Sequence, residues 1–226
     1  MLKIKQIVAT LAMAAVAAAN AAGTTYSSRS AFEATLGASV TDDYENLGYR
    51  SASTLTVFSD ADMSAVLNET RYHSITFPSN NMVWKSLTHY QYCAGCNGEY
   101  SMDFGSTSVG TSQGVFGVGF DVLLNAPTAT NGLPMHALVQ YGDGASEDFE
   151  LPLHQWSGET GGYFFGLTST SLIRSISILN GGGTEGNFSH DNLTIGSAVP
   201  EPSALAMSGA GALMLAFVLK RARRKA

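Results

Sequence analysis

Positive charge, cysteine and proline are all scarce in this chain. It has 12 Lys and Arg against 18 Asp and Glu, with only 2 cysteines and 6 prolines in 226 residues. Seven of the basic residues (Lys3, Lys5, Lys220, Arg221, Arg223, Arg224, Lys225) and one acidic residue (Glu201) lie in the two ends. That leaves 5 basic and 17 acidic residues between them, a net charge of −12. Such a surface repels phosphate backbones and excludes nucleic acid as a partner. Two cysteines are too few for a zinc site, and the nearest histidines, His73 and His89, do not have finger spacing. The chain contains no Gly-x-Ser-x-Gly elbow and no His-Glu-x-x-His helix, the signatures of two large hydrolase classes. Long apolar runs are missing as well, except at the two ends.

The ends therefore carry the clearest signals. Lys3 and Lys5 precede an apolar stretch, Ile7 to Ala19, and small residues follow, Ala19-Asn20-Ala21-Ala22-Gly23. This is the order of a secretory signal peptide, 1–21, with cleavage after Ala21 fitting best and Ala19 or Ala22 as alternatives. The apolar stretch is short of the roughly 20 residues that a membrane span needs. At the other end, Val199-Pro200-Glu201-Pro202 leads into an uncharged apolar run, 203–219, of about the minimum spanning length. The end 220–226 holds five positive charges, which the positive-inside rule keeps cytoplasmic. The expected organisation is a signal peptide at 1–21, an exported body at 22–197, and a C-terminal address at 198–226.

Pro200-Glu201-Pro202 followed by an apolar helix and an Arg-rich end resembles the PEP-CTERM sorting signal of Gram-negative bacteria. The resemblance covers about residues 199 to 226. It implies handling by signal peptidase and the secretion machinery, transient residence in the inner membrane, and then cutting near Pro200-Glu201-Pro202 by exosortase, a membrane-embedded cysteine protease-transferase. The mature body would end at the cell surface or outside the cell. The prolines suit this role, because they fix φ and hold their neighbours extended, the conformation a protease binds. The alternative is a permanently tethered ectodomain in which the three residues are only a linker. Export also means an oxidising compartment. A disulfide between Cys93 and Cys96 is then the first expectation, ahead of inert thiols and of a redox or metal role.

The body reads as all-β. Turn signals recur at Asn97-Gly98, Asn131-Gly132, Gly142-Asp143-Gly144 and Asn180-Gly181-Gly182-Gly183. Between them lie short alternating or apolar runs at 53–58, 74–77, 114–124, 136–141, 163–167, 173–179 and 192–195. Short strands at this spacing predict a β-sandwich. In the run at 114–124, Phe116, Val118, Phe120 and Val122 alternate with Val115, Gly117, Gly119 and Asp121, so one face is large and apolar. The glycines leave the other face open to the close approach of a neighbouring backbone. Gly142-Asp143-Gly144 predicts a hairpin turn. One short helix is expected over 30–36, capped by Ser30 with Glu33 completing a capping box.

The order of these phrases also resembles the ectodomains that usually precede such a tail, which look like jelly-roll sandwiches similar to carbohydrate-binding modules. The phrases are Phe32-Glu33-Ala34, Tyr44-Glu45-Asn46-Leu47-Gly48, Gly117-Val118-Gly119-Phe120-Asp121, Tyr163-Phe164-Phe165-Gly166, Ile173-Arg174-Ser175-Ile176 and His190-Asp191-Asn192-Leu193. That resemblance implies a calcium ion shared by Glu45, with Asp42 or Asp43 nearby, and Asp191. Hard cations need several oxygen ligands, and the alternative is a solvated Glu45 and an Asp191 that ends a loop. A sugar platform would use exposed aromatics: Trp84, Tyr90 and Tyr92, with His89 beside them, and Trp156 in a second segment. The alternative is that these rings fill the core. Hydrolysis would need an acid and a base, for which Glu45 and Asp143 are the candidates; five histidines are also present. The expected function is a non-enzymatic, exported protein of the cell surface or extracellular matrix with a structural or adhesive role. Behind it stand a calcium-containing carbohydrate-binding module with extracellular polysaccharide as partner, and a secreted hydrolase.

Overall fold

The computed structural model describes residues 23–46, 55–58, 62–64, 67–76, 81–85, 89–95, 98–124, 135–151, 163–179 and 188–200. The expected signal peptide 1–21, Glu201 and Pro202, the apolar run 203–219, the basic end, Cys96, His154 and Trp156 lie outside the described residues. Among the described residues no helix is long and apolar enough to cross a membrane.

The body is all-β. In chain order the elements are β1 (Thr24–Tyr26), α1 (Arg29–Glu33), β2 (Leu36–Asp42), β3 (Leu55–Phe58), β4 (Asp62–Ser64), β5 (Arg71–Ser74), β6 (Asn81–Lys85), β7 (Tyr90–Ala94), β8 (Tyr100–Asp103), β9 (Val115–Leu124), β10 (Met135–Tyr141), β11 (Ser146–Leu151), β12 (Tyr163–Leu179) and β13 (Phe188–Ala198). They join in one hydrogen-bonded network that runs β3-β6-β7-β13-β9-β12-β8-β5-β4, with β1, β2, β10 and β11 attached at its sides.

Two long strands make this network continuous. The two runs expected separately at 163–167 and 173–179 are a single 17-residue strand, β12. Its first half pairs with β9 and β1, and its second half with β8 and β10. The changeover falls at Leu172, which has φ 57. In the same way β13 pairs with β7 at His190 and with β2 from Leu193 to Ala198, and Asn192 between them has φ 51. A left-handed residue breaks the pleat and re-aims the strand, so one strand serves two sets of neighbours.

The apolar face expected on β9 is buried from Val118 onward, but at its start Val115 joins the core and Phe116 is only half-buried. Val118, Phe120 and Val122 are buried beside Leu167, Ile176, Ile178, Leu193 and Ile195 in one core cluster. The opposite, glycine-lined face has a different cover from the one expected. The nearest atoms over Gly117 and Gly119 belong to side chains, the rings of Phe32 and Phe164 together with Leu36 and Thr168. A Cβ on Gly119 would stand 2.6 Å from Phe164 Cζ and 2.7 Å from Phe32 Cε1, and one on Gly166 would stand 2.7 Å from Phe164 Cε1. Phe32 is fully buried there, with Tyr26 and Phe164 at ring-centroid distances of 5.9 and 5.6 Å. The glycines make room for flat rings, and α1 delivers the central one. That helix starts two residues earlier than its sequence suggests. Ser28, not Ser30, is the N-cap and accepts from the Ala31 amide, and the chain is already in β2 at Leu36.

The hairpin at Gly142-Asp143-Gly144 joins β10 and β11 as expected, with Tyr141 N donating to Ala145 O at 2.9 Å. The strand expected at 74–77 lies earlier, as β5. β2, β6, β7 and β8 had no clear sequence signature, because β2 is small and polar and β7 is buried on both faces.

Candidate functional site

The most unusual feature of the interior is its polarity around His190. This residue sits on β13 directly opposite Tyr92 of β7 and is almost wholly buried. Tyr100 Oη lies 2.6 Å from Nδ1, Tyr44 Oη 2.7 Å from Nε2, and Tyr72 Oη 3.3 Å from Nε2. Tyr44 and Tyr72 also share a hydroxyl–hydroxyl hydrogen bond. Tyr92 stacks on Tyr72 at 4.1 Å and donates from its hydroxyl to Asn81 Oδ1 at 2.6 Å. Neutral imidazole has one donor and one acceptor, and the tyrosines serve both. Burial lowers the histidine pKa to about 3, so the ring stays neutral at physiological pH. Burial also pushes the hydroxyls of Tyr92 and Tyr100 far up. This is a satisfied polar core, and its groups are held in their neutral forms.

Tyr90 and Tyr92 correct the sugar-platform expectation. Tyr92 is fully buried and Tyr90 is 9% exposed, so neither offers an open ring face. Sequence spacing placed them on one strand, but β7 is buried along its whole length. Trp84 is half-buried on β6, opposite Gln91 of β7 and Leu55 of β3. His89 is exposed, and the second proposed platform residue, Trp156, lies outside the described residues. Cys93 is buried on β7, and among the described residues no cysteine is free.

The structure brings the calcium candidates Asp191, Asp43 and Glu45 near one another and adds Asp121 to them. Just before Asn192 re-aims β13, Asp191 faces Asp121 of β9 directly across the ladder. Asp43 and Glu45 follow the end of β2, close enough to act on Asp191 electrostatically. Burial is the largest cause of a raised Asp191 pKa, about 7. The Asn192 amide, donating to Asp191 Oδ1 at 2.7 Å, opposes the rise, while the charges of Asp121, Asp43 and Glu45 add to it. Like charges directly opposite on paired strands repel. Arg29 offsets part of this by contacting Asp121 at 3.0 Å and donating to Asn192 O and Thr194 Oγ1. Asn192 Nδ2 also donates to Asp121 at 2.9 Å.

Several of these carboxylates have backbone partners. Glu45 Oε1 accepts from Tyr90 N at 2.8 Å and Asp43 Oδ1 from Glu45 N at 3.1 Å. Asp42 is fully buried and accepts from the amides of Tyr44 and Leu67 at 2.9 and 3.0 Å, so it fixes the turn. Among the described residues no three His, Cys, Asp or Glu side chains gather closely enough to hold a metal ion. The oxygen chemistry suits a hard cation, but the spacing does not form a coordination shell. Asp121 and Arg29 had no sequence signal beyond one polar position on a glycine-rich face.

The acid–base candidates Glu45 and Asp143 serve different elements. Asp143 lies in the β10–β11 turn, where Ser171 Oγ donates to it at 2.7 Å and the Ala145 amide at 2.9 Å; both lower its pKa. His73 is exposed on β5, and His136 meets Asp148 at 3.1 Å across β10 and β11.

No protein-family profile and no curated protein matches the chain. Two solved structures of a family 29 carbohydrate binding module, CBM29-2, are similar in outline. One is an arginine-to-alanine mutant (TM-score 0.35, 16% identity, covering 65% of this chain and 94% of that one). The other is a tyrosine-to-alanine mutant (TM-score 0.35, 18% identity, covering 65% and 99%).

Proposed function

We propose that the chain is an exported protein of the cell surface or extracellular matrix whose all-β body, a jelly-roll-like sandwich, has a non-catalytic structural or adhesive role and is delivered by its C-terminal address. One observation supports the sorting half of this reading. The last strand, β13, ends at Ala198, and the chain passes straight into Val199, 53% exposed, and Pro200. Pro200, the first residue of the Pro-Glu-Pro motif, thus leaves the body directly from the end of a strand and is exposed. A membrane-bound exosortase would meet it extended. The Cys93–Cys96 disulfide belongs to the same reading, since export exposes both thiols to oxidation. The test is Pro200→Ala with Glu201→Ala. The double variant should accumulate uncut in the inner membrane, whereas processing at the normal rate would refute the sorting role.

A second reading of the body is a carbohydrate-binding module that takes up calcium. It is favoured by the repulsion among Asp191, Asp121, Asp43 and Glu45, which a divalent cation would relieve by drawing the carboxylates inward. Millimolar calcium should then raise the unfolding temperature and a chelator should reverse the rise; no difference between the two would remove calcium. Polysaccharide pull-down that is lost on Trp84→Ala would support sugar binding, and pull-down unchanged by that substitution would exclude Trp84 from it.

A further inference from the structure

The edges of the sheet are not equally protected. β1 and β4 have three residues each and β3 has four. β11 has six, Ser146–Leu151, but carries Glu147, Asp148 and Glu150, and charge on an edge strand deters pairing with another chain. β2 is the longest of these edges, with seven residues. It pairs with β13 on one side only, and its other side has no partner strand among the described residues. From Leu36 to Thr41 it reads Leu-Gly-Ala-Ser-Val-Thr, without charge or proline, and Gly37, Ala38, Ser39 and Thr41 are exposed.

The direction of the free backbone groups follows from one contact. Ala38 N donates to Ser197 Oγ on β13 at 3.1 Å, and Ala38 O accepts from the same hydroxyl at 3.4 Å. Backbone groups alternate sides along a strand, so those of Ser39 and Thr41 face outward, while the register shift between Gly196 and Ala198 breaks the alternation at Gly37. In an antiparallel pairing of this strand with itself, centred on Ser39, Ser39 lies opposite Ser39 and Gly37 opposite Thr41. Ser39 faces outward on both copies, so the central pair exchanges both backbone hydrogen bonds, and Thr41 of each copy reaches the bulged end of the other. The register is self-complementary, as a two-fold interface requires.

Charge narrows the occupant. Between its two ends the chain has a net charge of −12, so two copies repel over most of their surfaces. The β11 edge would bring three carboxylates against three, whereas the β2 edge brings neutral small residues together. We propose that the outer edge of β2 is a homotypic docking site, where a second copy of this chain adds its own β2 antiparallel and continues the sheet across a two-fold axis. Pairing over one strand buries less than a standard protein interface, so the association is weak and grows with concentration. The proposal does not depend on the sorting or sugar-binding readings.

The test uses the full chain in detergent micelles, followed by sedimentation velocity over a concentration series. The wild type should self-associate reversibly. Ser39→Glu and Ser39→Lys each place like charges face to face across the axis and should each weaken association by about tenfold or more. An equimolar mixture of the two variants should restore it, an outcome that association through the apolar end could not produce. Ser39→Cys should give a reducible dimer, since opposed residues of a hydrogen-bonded pair lie ~5.5 Å apart, within disulfide reach. A wild type that stays monomeric throughout overturns the proposal. So does self-association unchanged by both charge variants, or a mixture that fails to restore it.

Discussion

Phe32 should be among the costliest side chains to remove. It is fully buried, yet it lies on the outer side of the sheet, over Gly117, Gly119 and Gly166. Truncating a buried phenylalanine to alanine costs ~3–5 kcal/mol, and the figure depends on how far the surroundings collapse into the space. Here the floor is glycine and backbone, so only the flanking Tyr26, Phe164 and Leu36 side chains can relax into the gap, and two ring contacts at 5.9 and 5.6 Å are lost with it. Phe32→Ala should therefore cost ~4 kcal/mol, a large part of the ~5–15 kcal/mol typical of a domain. That corresponds to a fall of roughly 8–16 °C in Tm for a body of this size.

A double-mutant cycle makes the argument specific. Gly119→Ala alone places a Cβ within 3 Å of two rings and should destabilise by ~1–3 kcal/mol. In the Phe32→Ala background one of those rings is gone, and the added methyl fills part of the cavity. The same change should then be neutral or stabilising, giving a coupling of at least ~1 kcal/mol. Urea unfolding of the four proteins measures it. A cost below about 1 kcal/mol for Phe32→Ala, or equal effects of Gly119→Ala in both backgrounds, would refute the ring-on-glycine account.

Further predictions concern charge and backbone. Asp191 has a raised pKa, about 7, so its contribution to stability is complete below the unfolded carboxylate pKa and is lost as pH rises toward 7. Asp191→Asn should flatten that loss and raise Tm above pH 7, and a wild type and variant with parallel pH profiles would refute it. His190 acts in the opposite direction: its pKa is lowered to about 3, so its contribution is present above ~6.5 and is lost as pH falls toward 3. Tyr100→Phe leaves a buried ring nitrogen without its 2.6 Å partner and should cost ~1–3 kcal/mol by chemical denaturation. Leu172, at φ 57, should accept Gly with little loss, while the β-branched Leu172→Val should cost ~1–2 kcal/mol; equal effects of the two would show that the left-handed backbone is not the constraint.

By itself the sequence determined the composition of the layers. Alternation on β9 marked Val118, Phe120 and Val122 as core, Gly142-Asp143-Gly144 marked the β10–β11 hairpin, and the acidic balance argued against nucleic acid, because side-chain period, turn chemistry and net charge are local or additive properties. It also brought Glu45 and Asp191 into one hypothesis, on a resemblance rather than on spacing. Other features were decided only by the tertiary structure. Tyr90 and Tyr92 stood between an exposed platform and a core filling until β7 was placed under its neighbours, because burial on both faces leaves no alternation to see. Asp121 joined the carboxylates only through strand register, and His190 met its tyrosines only because β5, β7, β8 and β13 converge. The two runs of β12 became one strand because a left-handed Leu172 lets the chain change partners without leaving the sheet, and pairing partners are not encoded in the residues of one strand alone.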